Sequence, residues 1–159
     1  MRRLPSLAVA CVVLLAGCAG VNLGPVNEAG FAGRAQAEIL QSSEKVLATY
    51  PAAWAKDDYG FQKASPYGTI FQGVLVLGEK HLAFSTWNEE KRAYARLIHI
   101  PYSAITRINL EKFGLGRALL IHAGEPFYTL HVLRPESGMD DPDKIQEAYD
   151  LISARSNKK

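Results

Sequence analysis

The sequence predicts a small α+β domain that is mainly β: an antiparallel meander or partly open barrel of about six or seven strands, capped by one C-terminal α-helix. Three observations carry this prediction. Between residues 70 and 133, short runs rich in β-branched and aromatic residues alternate with turn residues. Twice, two such runs flank a tight turn, at Gly78-Glu79-Lys80 and at Ala123-Gly124-Glu125-Pro126. Beyond residue 140 the apolar period changes from two to about 3.6, placing Ile145, Ala148, Tyr149 and Ile152 on one helix face.

Residues 18–33 carry Gly20, Gly24, Pro25, Asn27, Gly30 and Gly33, and read as a flexible tether ahead of a domain at 34–156. Ala35, Ala37 and Glu38 favour a short helix over 34–42, with Ile39 and Leu40 as its apolar patch. Val46, Leu47, Thr49 and Tyr50 open a strand that Pro51 closes or marks as an edge. The polar stretch 55–69, with Lys56, Asp57, Asp58, Gly60, Pro66 and Gly68, reads as a loop. Strands are expected at 70–77 and 81–86, a charged turn at 88–92, and further strands at 94–100 and 105–110. A loop at 112–117 then leads to a hairpin of 118–122 and 127–133. In the last element Asp141 suits the cap, Pro142 the first turn and Asp143 the positive end of the dipole.

The first residues have a separate character. Arg2 and Arg3 precede an uncharged apolar run over 4–16, too short for a permanent span, which needs roughly 20 apolar residues. A positive start, a short apolar run and small residues before a break describe a secretory signal peptide over 1–17. Leu15, Ala16, Gly17 and Cys18 resemble the lipobox of bacterial lipoproteins at each of its four positions. The resemblance implies that Leu15, Ala16 and Gly17 are read by the signal peptidase and that cleavage falls before Cys18. It further implies a diacylglycerol thioether on Cys18 and an acyl chain, such as palmitate, on its amino group. Two or more chains make a durable membrane anchor without a protein span. Ala19 follows the cysteine where an Asp commonly retains Gram-negative lipoproteins at the inner membrane, which favours the outer membrane, facing the periplasm.

Removal of the leader changes the charge reading. The full chain has 18 basic and 16 acidic residues; Arg2 and Arg3 leave, so the mature domain is near neutral. It carries no nucleic-acid footprint. Cys11 leaves with the leader and Cys18 is consumed by lipid, which excludes a disulfide framework or cysteine metal site.

Over residues 44–154 the order of elements is similar to that of GRAM domains and the wider pleckstrin-homology-like superfamily. Glu44-Lys45-Val46-Leu47 resembles the opening GRAM strand, and Gly73-Val74-Leu75-Val76-Leu77 with His81-Leu82-Ala83-Phe84-Ser85 its first hairpin. The segment Ile100-Pro101-Tyr102-Ser103-Ala104-Ile105-Thr106-Arg107-Ile108 resembles the step before the next strand. The resemblance implies a non-enzymatic binding or scaffolding domain. The chain departs from the eukaryotic pattern in having no dense Lys/Arg cluster in its early loops to grip an inositol phosphate.

No catalytic constellation emerges, and no cofactor is expected beyond the lipid on Cys18. His122 and His131 lie four residues out of register across their hairpin, over roughly 10 Å apart and too far to share one ion. The acids over 140–143 lack the spaced ligands of a calcium loop. Gly114-Leu115-Gly116-Arg117 joins two strands, so no helix dipole awaits a phosphate. Two candidate binding surfaces remain. One is aromatic, Trp54, Tyr59, Phe61 and Tyr67 in or beside the 55–69 loop. The other is cationic, Arg107, Lys112 and Arg117 around Phe113 and Leu115. The partner expected is an envelope protein or lipid; the alternative is a carrier of a small apolar ligand or lipid within the sheet–helix core.

Overall fold

The structure is a computed structural model and describes residues 22–55, 70–113, 116–124 and 127–156. It contains seven strands: β1 (Val46–Ala55), β2 (Ile70–Gly78), β3 (His81–Asn88), β4 (Ala93–Pro101), β5 (Arg107–Phe113), β6 (Gly116–His122) and β7 (Phe127–Val132). A short helix α1 (Phe31–Arg34) runs into a π-helical turn (Ala35–Leu40), and α2 (Pro142–Ser156) ends the fold. The strands form one antiparallel sheet in the order β4-β3-β2-β1-β7-β6-β5. The mainly β architecture with a C-terminal helix is as the sequence predicts. The meander is broken once, between β4 and β5, and β7 returns to pair with β1.

β1 departs from expectation. It does not close at Pro51 but runs on to Ala55, and it lies at the centre of the sheet. The backbone explains why proline is tolerated there. The Pro51 carbonyl accepts the Leu133 N–H at 2.8 Å, so the missing N–H of Pro51 faces β7 as well. That rung is the last contact between the two strands, since the ladder covers only Ala52↔Val132 to Ala55↔Thr129. Proline therefore removes one bond at the end of a ladder, not from its middle.

One face of the sheet packs under α2. Leu75, Leu77, Leu82, Phe84, Leu119, Ile121 and Leu130 meet Ile145, Ala148 and Ile152, all without solvent exposure. The expected helix face is therefore the buried one, with Tyr149 packed at its margin. Asp141 caps the helix as expected: its Oδ1 accepts the N–H groups of Asp143 and Lys144 at 3.2 and 3.1 Å.

The other face is covered too, and this corrects the expected tether. Leu23, Phe31, Ala35, Ile39 and Leu40 are buried against Val74, Val76, Ala83 and Tyr94. Residues 22–33 therefore belong to the domain; residues 18–21 of the expected tether lie outside the described residues. The helix expected over 34–42 begins earlier, at Phe31, and ends at Leu40, where Gln41 turns left-handed at φ 53°. Gly73 lets the sheet close beneath this layer, because a Cβ there would run into the Ser85 carbonyl.

Candidate binding grooves

Of the residues singled out in the sequence, Leu15, Ala16, Gly17, Cys18, Tyr59, Phe61 and Tyr67 lie outside the described residues, as do Leu115 and the side chain of Phe113. Trp54 is half-buried on β1, stacked on Phe71 with ring centroids 5.3 Å apart and set edge-on to Phe84 at 6.4 Å. Its ring closes the rim of the core. The three cations do not form one patch. Lys112 and Arg117 are cross-strand partners, but Arg107 lies at the opposite end of β5, about 17 Å along the strand. Arg107 Nε donates to Asn109 Oδ1 at 3.2 Å, and an Arg117 guanidinium nitrogen donates to Gln146 Oε1 at 3.3 Å.

The histidines divide into separate settings. His122 pairs with Phe127 across the β6–β7 hairpin, which places His131 four residues beyond it, as the spacing predicts. His131 is buried with Asp140 Oδ1 3.3 Å from its Nδ1. Burial disfavours its imidazolium more than Asp140 favours it, so its pKa falls below the ordinary range. His81 and His99 stack on neighbouring strands with centroids 4.7 Å apart. No group of three or more metal-ligating side chains occurs among the described residues.

The structure instead presents two open grooves. The first, about 450 Å³, lies between the first half of β1 and the start of α2, with Val26, Phe31, Thr49, Leu133, Pro135 and Lys144 among its walls. Pro51 dictates its position. Beyond that residue β7 leaves β1 and enters the 134–138 turn, so from Thr49 back to Val46 the strand pairs with β2 alone. Thr49 lies two residues from Pro51, so its N–H and C=O point the same way, into the groove. A register shift between Val46 and Ala48 follows directly. The groove thus combines an open backbone edge, apolar walls and a polar rim. On that rim Glu147 accepts bonds from Lys144 Nζ at 2.7 Å and the Tyr50 hydroxyl at 3.0 Å. The ammonium chiefly holds the Glu147 carboxyl below its usual range, while burial and then Glu147 push the Tyr50 phenol up.

The second groove, about 780 Å³, lies at the β2–β3 turn and is lined by Leu47, Glu79, Lys80, His81, Tyr102 and Arg155. Glu44 organises its edge. The carboxylate is buried and accepts the Lys80 N–H at 2.5 Å, the His81 N–H at 3.2 Å and the Ser42 hydroxyl at 2.9 Å. His81 Nδ1 lies 2.8 Å from its other contact point, Oε1. Burial raises the Glu44 pKa, but these bonds outweigh it and hold the carboxyl below its ordinary range. Its partners are all protein groups, so its role is to lock the turn. A single acid ahead of a strand gave no signal of this in the sequence, whereas a proline inside a strand did mark where the first groove opens.

The chain matches no family model, and no curated protein matches it. Solved structures do resemble it in outline. The C-terminal domain of an unknown protein from Leishmania infantum is 18% identical with a TM-score of 0.45, over 72% of this chain and 86% of that one. The hSac2 domain from human phosphoinositide phosphatase Sac2 is 14% identical with a TM-score of 0.47, over 71% and 70%. The DH/PH domain of human ARHGEF11, in its complex with RhoA and an inhibitor, is 12% identical with a TM-score of 0.44, over 71% and 30%.

Proposed function

We propose that this protein is a bacterial envelope lipoprotein, held by acylated Cys18 in the outer membrane on its periplasmic side, whose pleckstrin-homology-like domain binds an extended segment of another envelope protein without catalysis. The observation that carries the binding reading is the open edge of β1 at Thr49, set in a groove with apolar walls. An added strand takes its affinity from main-chain bonds and its specificity from alternate side chains in flanking pockets. Val26 and Leu133 offer the apolar contacts, and Lys144 and Glu147 offer charge at the rim. Both grooves open to solvent and neither is enclosed beneath α2, which favours a docked segment over the carrier reading. Anchoring raises the local concentration of domain and partner, so a modest contact suffices.

The test is in-cell crosslinking from a photoreactive residue at position 49, with position 112 on the far edge strand as the control. One dominant envelope protein captured from 49 and not from 112 is the expected result. Capture of phospholipid alone, or equal capture from both positions, contradicts it. For the anchor, Cys18→Ser should shift the protein from the membrane to the soluble periplasmic fraction; continued retention would contradict that part.

A further inference from the structure

Asn22 is held at a fixed place on the domain. Asn22 Nδ2 donates to Glu89 in the β3–β4 turn, and Asn22 Oδ1 accepts the Gly24 N–H at 3.2 Å. Gly24 adopts φ +67° and lies flat against the Trp87 indole, where a Cβ would collide with the ring. The buried Tyr94 hydroxyl donates to the Leu23 carbonyl at 2.7 Å. The Arg34 guanidinium sits 5.4 Å from the Trp87 ring centroid and donates to the Arg92 carbonyl at 3.2 Å. These contacts surround a shallow depression of about 500 Å³ at the β3–β4 end of the sheet.

Only three residues separate Asn22 from Cys18. At ~3.3–3.6 Å per residue the four steps reach at most about 14 Å. The headgroup zone of one leaflet takes about 5–8 Å of that reach. We infer that the acylated amino terminus holds the face around Asn22, Pro25, Glu28, Trp87, Glu89 and Arg92 directly against the lipid headgroups of the membrane that anchors it. The inference rests on the proposed acylation of Cys18. β3 runs away from this face for eight residues, which carries the β2–β3 turn and the second groove about 25 Å outward. Charge does not set this orientation. Arg34, Lys91 and Arg92 are matched by Glu28, Glu89 and Glu90 in the same region, so the surface has no net pull toward anionic lipid. The short tether does, and the orientation is therefore insensitive to salt.

The test uses the full lipidated protein in vesicles of phosphatidylethanolamine and phosphatidylglycerol that carry a headgroup-attached nitroxide quencher. A fluorophore is placed through Lys91→Cys beside the proposed contact, or through Lys80→Cys at the outward turn; both positions are exposed. Quenching at position 91 should exceed that at position 80 several-fold, at low and high salt alike. Equal quenching in protein that floats with the vesicles overturns the orientation alone. Failure to float, with no acyl mass on the Cys18 peptide, overturns the anchor and the orientation together. Insertion of about twenty Gly/Ser residues between Val21 and Asn22 should bring the two values together; an unchanged ratio would show that the tether is not what orients the domain.

Discussion

The two faces of the sheet are covered by segments of opposite character. On the inner face α2 lays three fully buried side chains, Ile145, Ala148 and Ile152, into a continuous core shared by six strands and fixed by a capped first turn. On the outer face residues 22–40 lay Leu23, Phe31, Ala35, Ile39 and Leu40 over β2, β3 and β4 in a smaller cluster. This second cover has one helical turn, a π-helical turn and two backbone positions of left-handed φ at Gly24 and Gly30. The difference teaches that a sheet with two apolar faces needs two covers, and that the two need not be equally regular. The inner helix covers the larger of the two clusters. The outer segment closes the second face with its smaller cluster, and in the proposed lipoprotein it would shorten the tether to the anchor.

The largest effect that sharpens this contrast is truncation under α2. Ile152→Ala should destabilise the whole domain by about 2–5 kcal/mol, because it removes a fully buried branched side chain and leaves a cavity. Urea unfolding read by both fluorescence and circular dichroism checks this, with one coincident transition expected. Phe31→Ala should act differently. Its ring packs edge-on to Tyr94 at 5.9 Å, at the margin of the smaller cluster. Its loss should expose residues 22–34 to hydrogen exchange while the sheet stays protected. Simultaneous loss of protection in the sheet would break the comparison, since both covers would then belong to one cooperative unit.

A smaller effect is expected at Tyr94. Burial raises its phenol to about 12, so the hydroxyl is a donor at all ordinary pH values, bonded to the Leu23 carbonyl. Tyr94→Phe removes that donor and leaves a carbonyl facing the core margin, for about 1–3 kcal/mol. The loss should appear in exchange of the 22–34 amides before it appears in global unfolding.

The smallest effect is a pH dependence. His131 has a folded pKa below its ordinary 6.5, so the unfolded chain takes up that proton first. Its contribution is therefore complete above about 6.5 and is lost as pH falls from there through the folded value. Glu44, also depressed but from 4.5, loses its contribution only in more acidic solution. Between pH 7 and 5 the decline in urea midpoint should flatten in His131→Gln, while the steeper decline below pH 4.5 remains. An unchanged profile above pH 5 would contradict the assignment.

The contrast also explains what the sequence made legible. α2 announced itself because Asp141, Pro142 and four apolar residues at helical spacing all pointed to one element. The hairpins were legible because alternation and turn residues agreed, and the β6–β7 register followed from the turn alone. The outer cover was hidden because Gly20, Gly24, Pro25, Gly30 and Gly33 gave the composition of a linker, while Leu23, Val26 and Phe31 were too widely spaced to show a period. Their burial depends on the outer face of β2 and β3 being apolar, a tertiary fact. The groove at Thr49 was half visible. Pro51 signalled a strand end, but the end was that of the β1–β7 ladder, and β1 itself continued through it.

The most direct measurement is hydrogen exchange on the soluble form, leader removed and Cys18→Ser, at the amides of Val26, Glu28, Phe31 and Arg34. Each donates within the outer cover, to Gly24, Pro25, Glu28 and Gly30 carbonyls respectively. Protection of these amides above the random-coil rate would establish that the segment from Asn22 onward is part of the domain, as the proposed short tether requires. Free exchange throughout 22–34, with the sheet protected, would restore a long tether and contradict the account.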